Sequence, residues 1–291
     1  MFEGVYTALV TPFKEDGSLD FEALRAIVEM QNEAGVDGII PCATTGESPT
    51  LTGKERIQVI KTVIEHSKSA KVIAGAGTNS TEKSTELVRE AGALGVDGVL
   101  SVCPYYNKPT QRGLYEHFTD IASVGLPIIM YNVPGRTGCN MSAETAIRLS
   151  SVPNIAGIKE ASGDFQQIMK ILEGSPKSFS VLSGDDAYAY PMMCLGGKGV
   201  VSVASNLVPK EMVKMVHAAL EGRFEDAKRI HYRLLPLFRG LFIETNPIPV
   251  KEAMNMCGIR VGGFRLPLCT MEEKNRKSLR EILVSLNLME A

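Results

Sequence analysis

Short apolar runs rich in valine and isoleucine alternate with segments of helical spacing along the first three-quarters of the chain. The clearest helical segments are 19–35, 54–70 and 81–95. The apolar runs are 5–10, 38–42, 71–76, 98–103, 127–133, 155–160, 180–184 and 199–204. Regular alternation of strand and helix predicts parallel β-α units. Eight such units favour a closed (β/α)8 TIM barrel over an open doubly wound sheet of about five or six strands.

The junctions between predicted helices and strands also repeat. Gly-Val-Asp-Gly occurs at 35–38 and again at 95–98, and the segment 194–201 keeps both glycines. A helix can end there on a left-handed glycine, and the next strand can begin two residues later. After residue 204 the strand pattern gives way to helical spacing with a break at Gly222. We therefore predict a barrel domain over 1–223 and a small C-terminal helical domain over 224–291.

Composition and charge are typical of a globular protein that acts on small molecules. Of the 291 residues, 44% are hydrophobic and 22% charged, and the formal net charge is −2. This charge gives no electrostatic reason to expect a nucleic acid or a membrane as partner. The six cysteines are scattered and no apolar leader is present, so we expect a cytoplasmic protein with reduced thiols. The four histidines lack metal-binding spacing, so we expect no metal site.

One predicted strand ends on a lysine: the apolar residues 155–158 lead directly into Lys159 and Glu160. Active sites of (β/α)8 barrels lie at the C-terminal ends of the strands. Apolar surroundings remove water from an ammonium group and favour the neutral amine, which can attack a carbonyl carbon and form a Schiff base. The alternative is a structural ion pair between Lys159 and Glu160. Because side chains alternate along a strand, only one of the two can point into the barrel.

Hydroxyl, tyrosine and arginine side chains follow other predicted strands. Thr44 and Thr45 precede Gly46, where a tight turn with exposed N–H groups forms a cradle for a small carboxylate. Tyr131 is placed to exchange a proton with a substrate, and Arg136 to bind a carboxylate through two nitrogens. Each feature also has an ordinary explanation: a Ser/Thr turn, a core tyrosine and a solvated loop arginine.

Taken together, the strand-end motifs resemble the dihydrodipicolinate synthase family. The similarity runs from Met1 to the C-terminus, and the motifs occur in the order found in the family. The matching segments are TTGES at 44–48, PYYNKP at 104–109, YNVPGRTG at 131–138, GIKEA at 157–161, LSGDDA at 182–187 and ETNPIPVKEA at 244–253. The resemblance implies a (β/α)8 barrel, usually assembled as a homotetramer, that acts as a pyruvate-dependent class I aldolase.

The implied reaction is the condensation of pyruvate with L-aspartate 4-semialdehyde in the diaminopimelate route to lysine. The resemblance makes Lys159 the Schiff-base residue. No external cofactor is expected, because the protonated imine acts as the electron sink. The implied proton-relay residues are Thr44, Tyr131 and Tyr106, of which Tyr106 reaches in from a neighbouring subunit. The implied substrate-binding residues are Thr45 for the pyruvate carboxylate, Arg136 for the semialdehyde carboxylate, and Gly184 and Val201.

Two other functions stay open at this point. Related aldolases that act on a keto-deoxy sugar acid or on N-acetylneuraminate share the lysine, but they have less need of a fixed cation at Arg136. A catalytically inactive barrel that serves as a scaffold is the second alternative. It has no chemical reason to keep Lys159, Tyr131, Thr44 and Arg136 together at the strand ends.

Some positions depart from the family pattern. Ala43 stands where the family usually has glycine, and we expect its methyl group to shift the loop slightly. In members inhibited by lysine, histidine and glutamate residues occupy the places that match Gly53, Arg56 and Lys83. A cationic Lys83 repels the ammonium group of lysine. We therefore predict weak or absent feedback inhibition by lysine.

Overall fold

Eight parallel strands pair in sequence order, and the last pairs with the first to close a barrel. The computed structural model describes residues 1–290. The strands are β1 Gly4–Ala8, β2 Gly38–Ile40, β3 Lys71–Gly75, β4 Gly98–Val102, β5 Ile128–Asn132, β6 Ile155–Glu160, β7 Ser180–Ser183 and β8 Gly199–Ser202. The predicted (β/α)8 barrel is confirmed, and most strands end one or two residues earlier than the apolar runs do.

Helices surround the barrel and continue beyond it. Those of the barrel layer are α1 Phe21–Ala34, α2 Gly53–His66, α3 Thr81–Leu94, α4 Gln111–Ala122, the single turn α5 Pro134–Thr137, α6 Ala143–Leu149, α7 Phe165–Gly174, α8 Asp186–Cys194 and α9 Pro209–Leu220. The C-terminal helices are α10 Phe224–Gly240, α11 Ile248–Met256 and α12 Glu273–Ser285. Helix α10 packs on α8 and α9, and α12 packs on α10 and α11. No helix in residues 1–290 is long and apolar enough to cross a membrane.

The repeated Gly-Val-Asp-Gly segments form the turns that lead from a helix into the next strand. Gly35 and Gly95 cap α1 and α3 in the left-handed conformation, with φ of 73° and 87°, which glycine adopts without steric cost. Asp37 and Asp97 then each accept a hydrogen bond of 2.8 Å from a backbone amide in the preceding strand. The repeat therefore ends a helix and fastens two neighbouring strands at the base of the barrel.

The barrel interior is packed with apolar side chains rather than open. We call these buried residues the interior cluster: Phe2, Tyr6, Ala8, Ile40, Ala43, Ile73, Leu100, Ile129, Tyr131, Val133, Leu182 and Val201. A second, larger cluster fills the layer between the strands and the helices. Because the interior is filled, small molecules can reach reactive groups only at the mouth formed by the strand ends.

Burial of His117 on α4 generates a prediction about acid stability. The ring is 5% exposed, and its Nδ1 lies 2.9 Å from Thr81 Oγ1. Burial lowers the pKa of His117 from 6.5 to about 4. Protonation of His117 is therefore less favourable in the folded protein than in the unfolded chain. The contribution of this residue to stability is fully present above about pH 6.5 and is lost as the pH falls towards 4.

We expect this residue to account for a loss of about 3 kcal/mol in the free energy of unfolding between pH 7.5 and 4. Urea denaturation of the protein and of His117→Gln at both pH values measures it. The variant should lose less stability on acidification, whereas the control variant His66→Gln should behave as the parent does. An equal acid loss in His117→Gln and the parent would contradict the prediction.

Candidate active site

Lys159 lies at the end of β6 on the inner face of the barrel. Its neighbours in register are Tyr131 on β5 and Leu182 on β7, and both belong to the interior cluster. The side chain is 4% exposed, and its Nζ lies 4.1 Å from the centroid of the Tyr131 ring. No carboxylate of residues 1–290 forms an ion pair with it. A primary amine is thus held at the mouth against an aromatic face.

Glu160, the next residue, points to the opposite face of β6. Asn132 Nδ2 donates to both of its carboxylate oxygens, at 3.2 and 3.0 Å. The Ser162 amide and Gln167 Nε2 also donate to it, at 2.7 and 3.2 Å. Burial raises the pKa of Glu160, and these hydrogen bonds oppose that rise. The predicted alternation is confirmed, and the alternative ion pair between Lys159 and Glu160 is not formed.

Two of the three hydroxyl groups predicted to act as proton carriers, those of Thr44 and Tyr131, lie at the barrel mouth without a hydrogen-bond partner among residues 1–290. Tyr131 is 6% exposed and Thr44 is half-buried, and neither hydroxyl is hydrogen-bonded to another group in the described chain. The Thr44 loop is closed by backbone bonds of 3.1 Å from Gly46 N to Ala43 O and from Glu47 N to Thr44 O. Ala43 packs in the interior cluster, so the loop accommodates its methyl group with these bonds intact.

Asn246, which precedes α11, joins two of the predicted substrate-binding residues. Its Nδ2 donates to Thr45 Oγ1 at 3.0 Å, and its carbonyl oxygen accepts a hydrogen bond of 3.0 Å from Arg136 Nη2. Thr45 is 2% exposed, whereas Arg136 is exposed. A cavity of about 600 Å³ lies beside Arg136 and is lined by Arg136, Asn246 and their chain neighbours. The guanidinium group is therefore anchored on one side and open to a ligand on the other.

Gly184 lies directly against the lysine side chain. A Cβ atom at this position would lie 3.1 Å from Lys159 Cε and 2.5 Å from Ala161 Cβ, so only glycine leaves room for the lysine. The following residue, Asp185, is near enough for the charge of Lys159 to lower its pKa, against the larger effect of burial, which raises it. Val201 is fully buried in the interior cluster, and its side chain is apolar.

Tyr106 is the one predicted catalytic residue that its own chain does not bring to the others. It is 88% exposed, and its hydroxyl is not hydrogen-bonded within residues 1–290. Its backbone has a φ of 73°, a conformation that is costly for a bulky side chain. Its amide donates to Thr137 O at 3.3 Å. The loop is therefore held so that the ring projects away from the protein surface.

Sequence reasoning missed the contribution of the C-terminal segment. Asn246 holds Thr45, Lys251 forms an ion pair with Glu47, and Arg265 forms one with Glu55. The segment 244–253 was matched as a motif, but nothing in its spacing shows which loop it contacts. Among residues 1–290, no group of three histidine, cysteine or carboxylate side chains is placed to hold a metal ion.

Comparison with known proteins agrees with this arrangement. The profile of the Dihydrodipicolinate synthetase family matches residues 1–286. A 4-hydroxy-tetrahydrodipicolinate synthase of Syntrophotalea carbinolica is 49% identical over 293 residues, with complete coverage of both chains. The crystal structure of dihydrodipicolinate synthase from Aquifex aeolicus superposes with a TM-score of 0.96 at 49% identity and complete coverage of both chains.

A third similar structure is described together with its assembly state. It is described as a monomeric dihydrodipicolinate synthase variant, is 46% identical and has a TM-score of 0.96. The match covers 99% of the present chain and 98% of that one. By profile, identity and fold over its whole described length, this chain belongs to the dihydrodipicolinate synthetase family.

Proposed function

We propose that this chain, a 4-hydroxy-tetrahydrodipicolinate synthase by family, condenses pyruvate with L-aspartate 4-semialdehyde through a Schiff base on Lys159. The observation that carries this proposal is the buried amine at the barrel mouth, 4.1 Å from the Tyr131 ring centroid, without an ion-pair partner in residues 1–290. A buried amine that no carboxylate holds in an ion pair can reach a carbonyl carbon and attack it.

The first stage joins pyruvate to the enzyme. Lys159 Nζ attacks the keto carbon, the hydroxyl groups of Thr44 and Tyr131 carry the protons that are exchanged, and water leaves to give an imine. Thr45 Oγ1 already accepts a hydrogen bond from Asn246, so its proton is left to bind the pyruvate carboxylate. Gly184 has no side chain to displace Lys159 from this position, and the apolar side chain of Val201 lies in the adjoining interior cluster.

The second stage forms the new carbon–carbon bond. Loss of a methyl proton converts the protonated imine into an enamine, whose carbon attacks the aldehyde carbon of the semialdehyde. Arg136 holds the carboxylate of that second substrate. The amine of the same substrate then displaces Lys159 Nζ by transimination, which closes the ring and frees the enzyme.

This scheme needs no group beyond the two substrates. The protonated imine accepts the electron pair that the departing methyl proton leaves behind, so no external cofactor is required. All six cysteines are free, in keeping with a reducing compartment. We therefore place the reaction in the cytosol.

Arg136→Leu tests which second substrate the site serves. We expect the KM for aspartate semialdehyde to rise by about 10- to 100-fold, because a charge-assisted hydrogen bond is lost, while borohydride trapping of pyruvate stays unchanged. Steady-state rates and product analysis measure this, with Arg25→Leu, an exposed arginine on α1, as control. Release of pyruvate from a keto-deoxy sugar acid, with no condensation product from the semialdehyde, would support the sugar-acid aldolase instead.

We also propose that Tyr106 serves the active site of a neighbouring copy, within a homotetramer. The exposed ring and the fixed loop support this assignment. Tyr106→Phe and Lys159→Arg should each have little activity alone. If the subunits are mixed and allowed to re-associate, about one quarter of the sites should combine an intact lysine with an intact tyrosine. No recovery of activity in subunits shown to have exchanged would mean that Tyr106 does not act across the interface.

Feedback inhibition by lysine is predicted to be weak or absent. Arg56 is already engaged, because its guanidinium donates to Ser48 Oγ and to Gly75 O, both at 2.7 Å. Lys83 is exposed in the first turn of α3 and repels a cationic effector. Millimolar L-lysine should leave the initial rate unchanged, and Lys83→Glu should gain sensitivity that the control Lys54→Glu does not. Strong inhibition of the parent protein would overturn this prediction.

A further inference from the structure

A fully buried ion pair lies next to the active site and has no part in the proposed chemistry. Lys251 Nζ and Glu47 Oε1 are 2.7 Å apart, and both side chains are 0% exposed. The ammonium group also donates to Thr11 O at 3.1 Å and to the carbonyl oxygen of Gly263. Its three protons are thereby all engaged. The rings of Phe13 and Phe264 enclose it, with centroids at 4.5 and 5.0 Å from Nζ.

The carboxylate side of this pair belongs to the loop that carries Thr44 and Thr45. Glu47 has a φ of 52°, a left-handed conformation that glutamate adopts only when its surroundings impose it. Its other carboxylate oxygen accepts a hydrogen bond of 3.2 Å from the Arg265 amide, and its own amide donates to Thr44 O at 3.1 Å. The side chain therefore holds the backbone of the loop in its turn.

The lysine side of the pair belongs to α11, which contacts the same loop a second time. Asn246 precedes this helix and donates to Thr45 Oγ1 at 3.0 Å. Helix α11 and the segment before it thus contact the loop at two residues. Asn246 forms a hydrogen bond with Thr45, and Lys251 forms an ion pair with Glu47. Two contacts fix the orientation of a loop as well as its position.

A buried ion pair is a poor device for stability alone. Removing two charges from water costs about as much as their attraction returns, and apolar residues of similar volume often stabilise a fold equally well. A buried charged pair does fix the relative position of its two side chains, because each charge can be buried only with specific hydrogen-bonding neighbours. That property suits a loop whose hydroxyl groups must lie within hydrogen-bond distance of a substrate.

We propose that Lys251 is a positioning residue for the condensation reaction: through Glu47 it sets the Thr44–Thr45 loop in the orientation in which both hydroxyl groups meet the pyruvate adduct on Lys159. This inference rests on the proposed function. It assigns to the C-terminal helical segment a direct share in the geometry of the active site.

The double variant Lys251→Met with Glu47→Gln tests the proposal. It removes both charges and keeps similar side-chain volumes, so no lone charge is left buried. We expect kcat to fall by about 10- to 100-fold, the KM for pyruvate to rise, and backbone hydrogen exchange in the segment 42–51 to accelerate. Ile171→Val, a buried change on α7 away from the mouth, is the control for a general loss of stability. It should lower the thermal midpoint without either effect.

Glu47→Asp is a second variant that keeps the charge and suits a left-handed backbone better. It shortens the side chain by one methylene group, so we expect a smaller loss of kcat and a smaller gain in exchange in the same segment. Unchanged kcat and unchanged exchange in either folded variant would overturn the proposal. The parent protein in the same assay distinguishes failure of the proposed function from failure of the positioning role. If the parent forms no product from pyruvate and the semialdehyde, the proposed function is wrong. Hydrogen exchange in the variants still reports whether Lys251 and Glu47 hold the loop.

Discussion

Lys159 holds a primary amine inside the mouth of the barrel, 4.1 Å from the Tyr131 ring centroid and without a carboxylate partner among residues 1–290. Burying such a group is costly unless its surroundings or a ligand compensate for the lost water. The strand supplies no compensation, because Glu160 is turned to the other face and is satisfied there by Asn132. Only glycine at position 184 leaves room for the lysine side chain itself. The amine is therefore held at the barrel mouth without an ion-pair partner among residues 1–290.

The strands alone do not complete this site. Their ends place Lys159, Tyr131 and the Thr44 loop at one mouth, but the loop is held from the side by α11 and the segment before it. Asn246 also accepts a hydrogen bond from Arg136 and so joins the two regions proposed to bind the two substrate carboxylates. The C-terminal helices thus support the barrel mouth, because residues about 200 positions later in the chain contact the loop of Thr44 and Thr45.

Much of this arrangement could be predicted from local patterns. Eight apolar runs gave the strand number, and the alternation of side chains on β6 separated Lys159 from Glu160, because both depend on neighbours in sequence. The strand ends were predicted too late where the backbone turns sharply, as at Cys42 with a φ of 57°. The bonds from Asn246 to Thr45 and from Lys251 to Glu47 join residues about 200 positions apart. Residue spacing does not show such a long-range contact. It does not show the outward position of the Tyr106 ring either, because that position also depends on tertiary structure.

Reduction of the protein with borohydride in the presence of pyruvate, followed by intact mass measurement and peptide mapping, tests the role of Lys159 most directly. We expect one pyruvate-derived adduct per chain, on Lys159, and no adduct in Lys159→Arg. The buried Lys251 and the exposed Lys83 serve as internal controls and should stay unmodified. An unmodified Lys159 in folded protein, or an adduct on another lysine, would contradict the assignment of this amine as the reacting group.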